Sequence, residues 1–459
     1  MTRTVAVPLW LLVLILLFAG VTVASHFLVP SVRWFFRRRM ERAVARLNTR
    51  LKRPIAPFKL ARRFDTIQRL AYDPDVTRAV AEEARDTGIP EAVAFERARR
   101  FAREIVPSFS ATLYFGVGIR LARWLSRSLY RVRLSEIDLA DLDALPPDAA
   151  VVFVMNHRSN MDYVLVTWLV SESSALSYAV GEWARVWPLS GLIRAMGAYF
   201  IRRREKGALY RRVLARFVAQ ATAGGVTQAI FPEGRLSLDG RPGEPRLGLL
   251  SYILEAVARG EVGRDVIFVP VAINYDRVIE DRFLIRAGVT GERRFRPPVA
   301  QVLAALSAHL WQRLTFRFRG FGTAKVALGR PLSLSAFLAG APAQPTEALA
   351  AELMARVAAA VPVVPVPLVA RRLLPGLPVT VAALEAGLRD DLRHVAARGG
   401  RAPRRGAALL VADALLLLHQ RGVVEDGPGG VRRRPGEEAL FAYYAGSIAH
   451  LLPPLEAPA

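Results

Sequence analysis

The alternation of apolar and polar positions divides the chain into five stretches. Residues 5–29, VAVPLWLLVLILLFAGVTVASHFLV, are apolar except for Thr22, Ser25 and His26 near the end. A helix of that length spans a bilayer. Arg33, Arg37, Arg38, Arg39, Arg42 and Arg46 follow it, whereas Arg3 alone precedes it. This asymmetry predicts an uncleaved N-terminal anchor, residues 1–39 with its basic juxtamembrane segment, that leaves the rest of the chain in the cytoplasm. A cleaved leader is the rival reading. The length of the apolar run and the arginines directly behind it count against that reading.

Residues 40–139 read as helical, rich in Ala, Arg and Glu. The part from 99 to 133 mixes Arg with Leu, Tyr, Trp and Phe. That pattern fits either a helix lying on anionic lipid or an ordinary surface helix packed on a neighbouring domain. From 140 to 335 short strand-like runs alternate with helical ones, as in an α/β layer fold. Strand-like runs are expected at 150–155, 176–180, 198–203, 227–234, 265–275 and 324–329. Helices are expected from Asp162 to about Val170 and over 204–223 and 247–258. Residues 336–375 read as helix and linker. Residues 376–459 form a helical C-terminal region around the apolar helix 407–422, which is too short to span a membrane. The predicted fold is thus α/β, a mixed, largely parallel sheet with flanking helices. A transmembrane helix and helical N- and C-terminal regions are added to it.

Composition narrows the chemistry. Among 459 residues there is no cysteine, which excludes disulfides, thiol nucleophiles and thiolate metal sites. The six histidines are dispersed, so no metal site is expected. The net charge of +24 calls for an anionic partner, namely nucleic acid, an anionic membrane surface or a phosphorylated substrate. The arginines are spread along the chain and no nucleic-acid-binding module is recognisable, so nucleic acid is set aside. An anionic membrane surface and a phosphorylated small molecule are expected instead.

The strand at 150–155 runs into a polar turn, NHRSNMD. With His157 on the turn and Asp162 in the first helical turn, the carboxylate reaches the imidazole. It fixes the tautomer and stabilises the imidazolium as the ring takes a proton. The product is a base that activates a hydroxyl. Three more stretches lie at predicted strand ends, where α/β sheets assemble sites. GAYFIRRREK (197–206) presents Arg202, Arg203 and Lys206. IFPEGR (230–235) places Glu233 and Gly234 in a turn before Arg235. VPVAINYD (269–276) sets Pro270 within a strand, which predicts an edge or a bulge because proline cannot donate to a ladder.

Taken together, these four stretches resemble the conserved blocks of the glycerolipid acyltransferase superfamily, and most closely the membrane-bound glycerol-3-phosphate acyltransferases. NHRSNMDY is similar to the H-x-x-x-x-D block, GAYFIRR to G-x-x-F-I-R-R, IFPEG to F-x-E-G, and VIFVPVAINYD to the final V-P-V/I block. LFAYYAGSIAHLL (440–452) is similar to the tail of the longer glycerol-3-phosphate enzymes. One block departs from the pattern. Where the family commonly continues G-R-S-R after F-x-E-G, this chain has Arg235, Leu236, Ser237 and Leu238.

The resemblance implies acyl transfer from acyl-CoA or the acyl carrier protein thioester to the sn-1 hydroxyl of glycerol 3-phosphate. His157 would be the base, Asp162 its orienting partner, and no covalent acyl-enzyme or cofactor would be needed. Arg202, Arg203 and Lys206 are expected to clamp the acceptor phosphate, with Arg158 beside the base, because guanidinium pairs phosphate bidentately. Glu233, Gly234 and Arg235 complete the expected substrate-binding set. Acylation of 1-acylglycerol-3-phosphate is the alternative acceptor reading. A non-catalytic, membrane-anchored basic binding protein is the alternative of another class.

Overall fold

An unbroken apolar run is stable as a strand only if both of its faces are covered. Ala150–Met155 is such a run, wholly buried in the middle of an eight-stranded sheet. The computed structural model describes residues 8–17, 35, 38–39, 42–134, 142, 144–171, 174–181, 189–202, 207–291 and 320–455. Arg203, Lys206 and most of the apolar stretch 5–29 lie outside the described residues. No single described helix is long and apolar enough to cross a membrane. Two compact units are present, Met1–Pro54 and Ile55–Ala459. In the first, residues 9–17 are helical, with exposed side chains such as Leu9 and Leu16.

The strands of the second unit are β1 (Arg131–Leu134), β2 (Ala150–Met155), β3 (Ser177–Gly181), β4 (Tyr199–Ile201), β5 (Gln228–Ile230), β6 (Val266–Tyr275), β7 (Thr323–Leu328), β8 (Leu332–Ser333), β9 (Val424–Gly427) and β10 (Gly430–Arg433). Its helices are α1 (Pro57–Leu60), α2 (Arg63–Ala71), α3 (Pro74–Thr87), α4 (Glu91–Ile105), α5 (Ile119–Leu129), α6 (Met161–Leu169), α7 (Leu189–Ala195), α8 (Ala208–Ala223), α9 (Gly248–Ala258), α10 (Asp281–Thr290), α11 (Leu334–Ala339), α12 (Pro345–Ala360), α13 (Pro365–Leu373), α14 (Val381–Ala397), α15 (Ala407–Gln420) and α16 (Glu438–Gly446).

The main sheet runs β1-β7-β6-β2-β5-β3-β4, and β8 also pairs with β6. β2 is parallel to both of its neighbours, whereas β6 pairs antiparallel with β7 and β8. The expected mixed, largely parallel α/β fold is therefore present. β9 and β10 form a separate antiparallel hairpin.

Side chains alternate across a strand, and β2 uses that alternation to join two cores. Val151, Phe153 and Met155 face a cluster with Leu165 and Val166 of α6, Leu368 of α13, Val411 of α15 and Phe441 of α16. Ala150, Val152 and Val154 face the other cluster, with Val213 and Phe217 of α8, Ile253 of α9 and Leu353 of α12. Each fully buried aliphatic or aromatic side chain contributes roughly 1.5–3 kcal/mol. The residues from 365 onward thus cover one face of the same sheet that carries the polar turn. α15 buries Leu410, Val411 and Leu418 against this core and leaves Leu409 and Leu416 exposed on its other side.

Pro270 corrects one expectation. It lies not at an edge but inside β6, in register with Val154 of β2, and opposite an irregularity where residues 269–270 face the three residues 329–331. On the opposite side β6 pairs with β8 through Phe268 and with β7 from Val271 onward. Pro270 falls where the partner changes, so its missing N–H removes no ladder bond there. Its carbonyl accepts from the Gly329 N–H at 2.8 Å.

The N-terminal helices are fastened to α8 by one buried carboxylate. Asp73 caps α3 by accepting from the Asp75 N–H at 3.0 Å. The same carboxylate accepts from Arg216 at 2.9 Å through each oxygen and from Gln220 at 3.1 Å. Asp73→Ala is expected to lower stability by about 2–4 kcal/mol, through loss of the cap and of a desolvated ion pair. Chemical unfolding of the purified variant measures it.

Candidate active site

The turn after β2 is built on backbone hydrogen bonds supplied by side chains. Asn156 extends the β2–β6 ladder by one rung, its amide donating to the Ile273 carbonyl at 3.0 Å and accepting from the Ile273 N–H at 2.8 Å. His157 follows, and its ring is 2% exposed. Its backbone N–H donates to Glu233 at 3.1 Å, and its carbonyl accepts from the Ser237 N–H at 2.9 Å. The turn after β5 therefore grips the backbone of His157 from both sides.

Asp162 is fully buried in the first turn of α6, where the partial positive charge of the helix favours a carboxylate. One oxygen takes His157 Nδ1 at 3.0 Å, the Arg158 N–H at 2.8 Å and the Ser159 N–H at 3.0 Å. The other takes the Tyr275 hydroxyl at 2.5 Å. A carboxylate only accepts, so Nδ1 carries the proton and Nε2 keeps its lone pair. The ring packs tilted on Phe231, with centroids 4.1 Å apart, and edge-on to Tyr163 at 5.4 Å. These contacts leave it a single orientation. The arrangement is an oriented imidazole base backed by a carboxylate and a tyrosine.

Several members of this site escape sequence reasoning. Tyr275, at the end of β6, holds Asp162 from behind. Burial and the adjacent Asp162 charge push its hydroxyl well above the ordinary range, so it stays a donor. Glu280 accepts from Ser159 Oγ at 2.8 Å and from Asn160 at 3.2 Å (backbone) and 2.9 Å (side chain), which secures the rest of the turn. Tyr275 sits in the V-P-V-A-I-N-Y-D run, so its position at a strand end was the available signal. Glu280 has none, because 121 residues separate it from Ser159.

The expected binding residues fare differently. Arg158 is 2% exposed beside the base. Arg202 is engaged elsewhere, pairing with Glu104 of α4 at 2.8 and 2.6 Å and lying over the Phe101 ring. Arg203 and Lys206 fall outside the described residues. Arg235 is exposed. Gly234 serves the turn, with φ at +65°, a conformation that glycine adopts without strain. Leu236 and Leu238 pack against the core. Among the described residues no cluster of three or more His, Asp or Glu is placed to hold a metal ion.

Residues 136–274 match the family model described as Acyltransferase, and residues 310–454 match that of the glycerol-3-phosphate acyltransferase C-terminal region. The chain thus carries a stretch similar to the acyltransferase domain, followed by one similar to the C-terminal region of glycerol-3-phosphate acyltransferases. Among curated relatives it is similar to the glycerol-3-phosphate acyltransferase of Shewanella amazonensis, 31% identical over 64% of this chain and 36% of that protein. It is likewise similar to those of Pseudomonas entomophila (29%, over 65% and 35%) and Aeromonas hydrophila (32%, over 57% and 32%). The chain thus spans about a third of the length of the curated relatives it matches. A solved 1-acyl-sn-glycerophosphate acyltransferase from Thermotoga maritima is 17% identical, with a TM-score of 0.29 over 61% of this chain and 95% of that one. That superposition is too loose to define the fold.

Glu233 carries a pH signature. Its oxygens accept from His157 N–H and from Gly243 N–H at 3.0 Å, which favours the ionised form, but burial outweighs these and raises the carboxyl to about 7. Between the ordinary glutamate range and about 7 the folded protein keeps a proton that the unfolded chain has lost. The contribution of this position to stability therefore falls as pH rises through that window. Glu233→Gln is expected to remove this part of the slope. Unfolding midpoints of both proteins from pH 5 to pH 8 read the difference, and parallel slopes would contradict it.

Proposed function

We propose that this chain transfers a fatty acyl group from acyl-CoA or acyl carrier protein to the sn-1 hydroxyl of glycerol 3-phosphate. The observation that carries this reading is the His157–Asp162 pair, with Nδ1 tied to the carboxylate and Nε2 left as the basic nitrogen. His157 Nε2 takes the proton of the acceptor hydroxyl as its oxygen attacks the thioester carbonyl. The tetrahedral intermediate collapses with cleavage of the C–S bond, and the imidazolium returns the proton to the departing thiolate. An ester and a free thiol result, the base is regenerated, and no cofactor is consumed. Asp162 stabilises the imidazolium throughout. The curated relatives named glycerol-3-phosphate acyltransferase support this acceptor. The inward packing of Leu236 and Leu238, where the family commonly has arginines, favours 1-acylglycerol-3-phosphate as the second reading.

Thioester turnover by the protein in lipid, with each acceptor supplied separately, decides between them. Glycerol 3-phosphate is expected to be used, and His157→Ala to lower kcat by ~10²–10⁴-fold. Turnover with the lysolipid alone would select the second reading. Turnover with neither would leave a basic binding protein.

The reaction is proposed to run at an anionic membrane surface on the cytoplasmic side, with residues 5–29 as anchor. α5 and the helical turn Leu113–Gly118 that leads into it support the surface contact. Between Val106 and Leu134 the chain has five arginines and no acidic residue. Val117, Leu121 and Trp124, at helical spacing, are 54%, 46% and 59% exposed, flanked by the exposed Arg120, Arg123 and Arg127. Apolar side chains interleaved with arginine match a headgroup interface. The chain lacks cysteine, so spin labels at Val117→Cys, Leu121→Cys and Trp124→Cys are unambiguous. In phosphatidylglycerol bilayers they are expected to favour oxygen over an aqueous nickel chelate, unlike a label at the exposed Leu416. Equal chelate access at all four positions would contradict the surface contact.

A further inference from the structure

The covered face of Arg158 is the least explained feature of the site. The residue is 2% exposed, and a guanidinium does not shed its charge in a protein. Nη1 donates to the Gly240 carbonyl. Nε and Nη2, the side-on edge of the fork that grips oxyanions bidentately, have no hydrogen-bond partner. A charged donor buried without a partner is costly. The carboxylates nearby are already engaged. Asp162 holds His157, Tyr275 and the backbone of the turn, while Glu233 holds two backbone N–H groups.

The surface against which the guanidinium lies comes from the far end of the chain. Its Cζ sits 4.8 Å from the ring centroid of Tyr443 on α16. The Tyr443 hydroxyl is buried and also has no partner. The approach of α16 is built in. Gly240, with φ at +85°, lies so close that a Cβ there would meet the Tyr443 carbonyl at 1.9 Å and Arg158 Nη1 at 2.9 Å. A Cβ at Gly446 would meet the Asp239 carbonyl at 2.6 Å. The next residue, Tyr444, donates to Asp281 at 2.6 Å and accepts from the Val278 N–H at 3.0 Å, which fixes the helix to the segment that follows β6.

We infer that the C-terminal region is part of the acceptor site, with Tyr443 and the open edge of Arg158 forming a seat for the phosphate of the acceptor. The inference rests on the acyltransferase reading and extends it by naming what holds the phosphate. It also accounts for the altered third block. With the half-buried Leu236 and Leu238 packed against the core, the charge is supplied from the residue next to the base. A phosphate on that edge brings its own glycerol hydroxyl toward His157 from the adjacent residue. His157 and Arg158 are equally closed to solvent, so the seam between the 235–243 turn and α16 opens as the acceptor enters.

The test uses the full chain in lipid. Tyr443→Phe keeps the ring and removes the hydroxyl. It is expected to raise the KM for glycerol 3-phosphate ~10-fold while leaving kcat and the thioester KM unchanged, and Arg158→Lys to raise it ~100-fold. Calorimetric titration of glycerol 3-phosphate and of inorganic phosphate into His157→Ala, with and without Tyr443→Phe, reads the seat without turnover. The same ~10-fold loss is expected there. An unchanged KM and Kd in Tyr443→Phe would overturn the inference, and an unchanged or raised unfolding midpoint would then mark the hydroxyl as merely buried. Absence of phosphate binding to His157→Ala would also overturn it. If no acceptor turns over but this binding persists and weakens in Tyr443→Phe, the acyltransferase reading fails and the seat stands. Should Arg158→Lys not fold, the Tyr443→Phe constants decide.

Discussion

One buried carboxylate organises the site. Asp162 has no solvent to satisfy it, and its two oxygens collect four donors: an imidazole, two backbone N–H groups and a tyrosine hydroxyl. Each bond does something different. The backbone pair shapes the turn, the tyrosine ties the turn to β6, and the imidazole receives its tautomer. Losing any one partner leaves a charged acceptor buried and underserved, which costs more than the bond itself returned. The chemistry and the local fold are therefore not separable here.

The sheet exists to bring those donors together. β2 and β6 are parallel neighbours in register, so their C-terminal ends lie side by side, and the base turn after one strand meets Tyr275 at the end of the other. β5 flanks β2 on its other side and delivers Phe231 and Glu233. His157 is thus held by three strand ends, the usual place for a site in such sheets. The second layer, α13 to α16, closes the same face. It brings Tyr443 against Arg158 from a segment more than 280 residues away in sequence.

Much of this was legible in the sequence, and the limits have physical reasons. β2, β6 and β7 announce themselves as apolar runs, and the His-to-Asp spacing predicts the base pair because a turn and one helical turn set the distance. Pro270 misleads, because the rule that excludes proline from interior strands assumes a continuous partner on the side of its N–H. Here the partner changes from β8 to β7 at that residue. Arg202 resembles a phosphate clamp from its place in a block of arginines, but its consumption by Glu104 depends on how α4 packs, which no local pattern encodes. Glu280 and Tyr443 were invisible as site residues for the same reason, and Tyr275 showed only its place at a strand end. Their partners lie 121, 285 and 113 residues away along the chain.

The central claim is that Asp162 fixes His157 with its proton on Nδ1 and a free lone pair on Nε2. Nitrogen-15 NMR of histidine-labelled protein tests this directly, with the resonances of His157 identified by their disappearance in His157→Gln. The structure predicts that, in the neutral ring, Nδ1 behaves as a protonated nitrogen and Nε2 as an unprotonated one, and that Asp162→Asn disturbs this preference. A neutral His157 with its proton on Nε2 would contradict the account, because the nitrogen assigned to accept the hydroxyl proton would already be occupied.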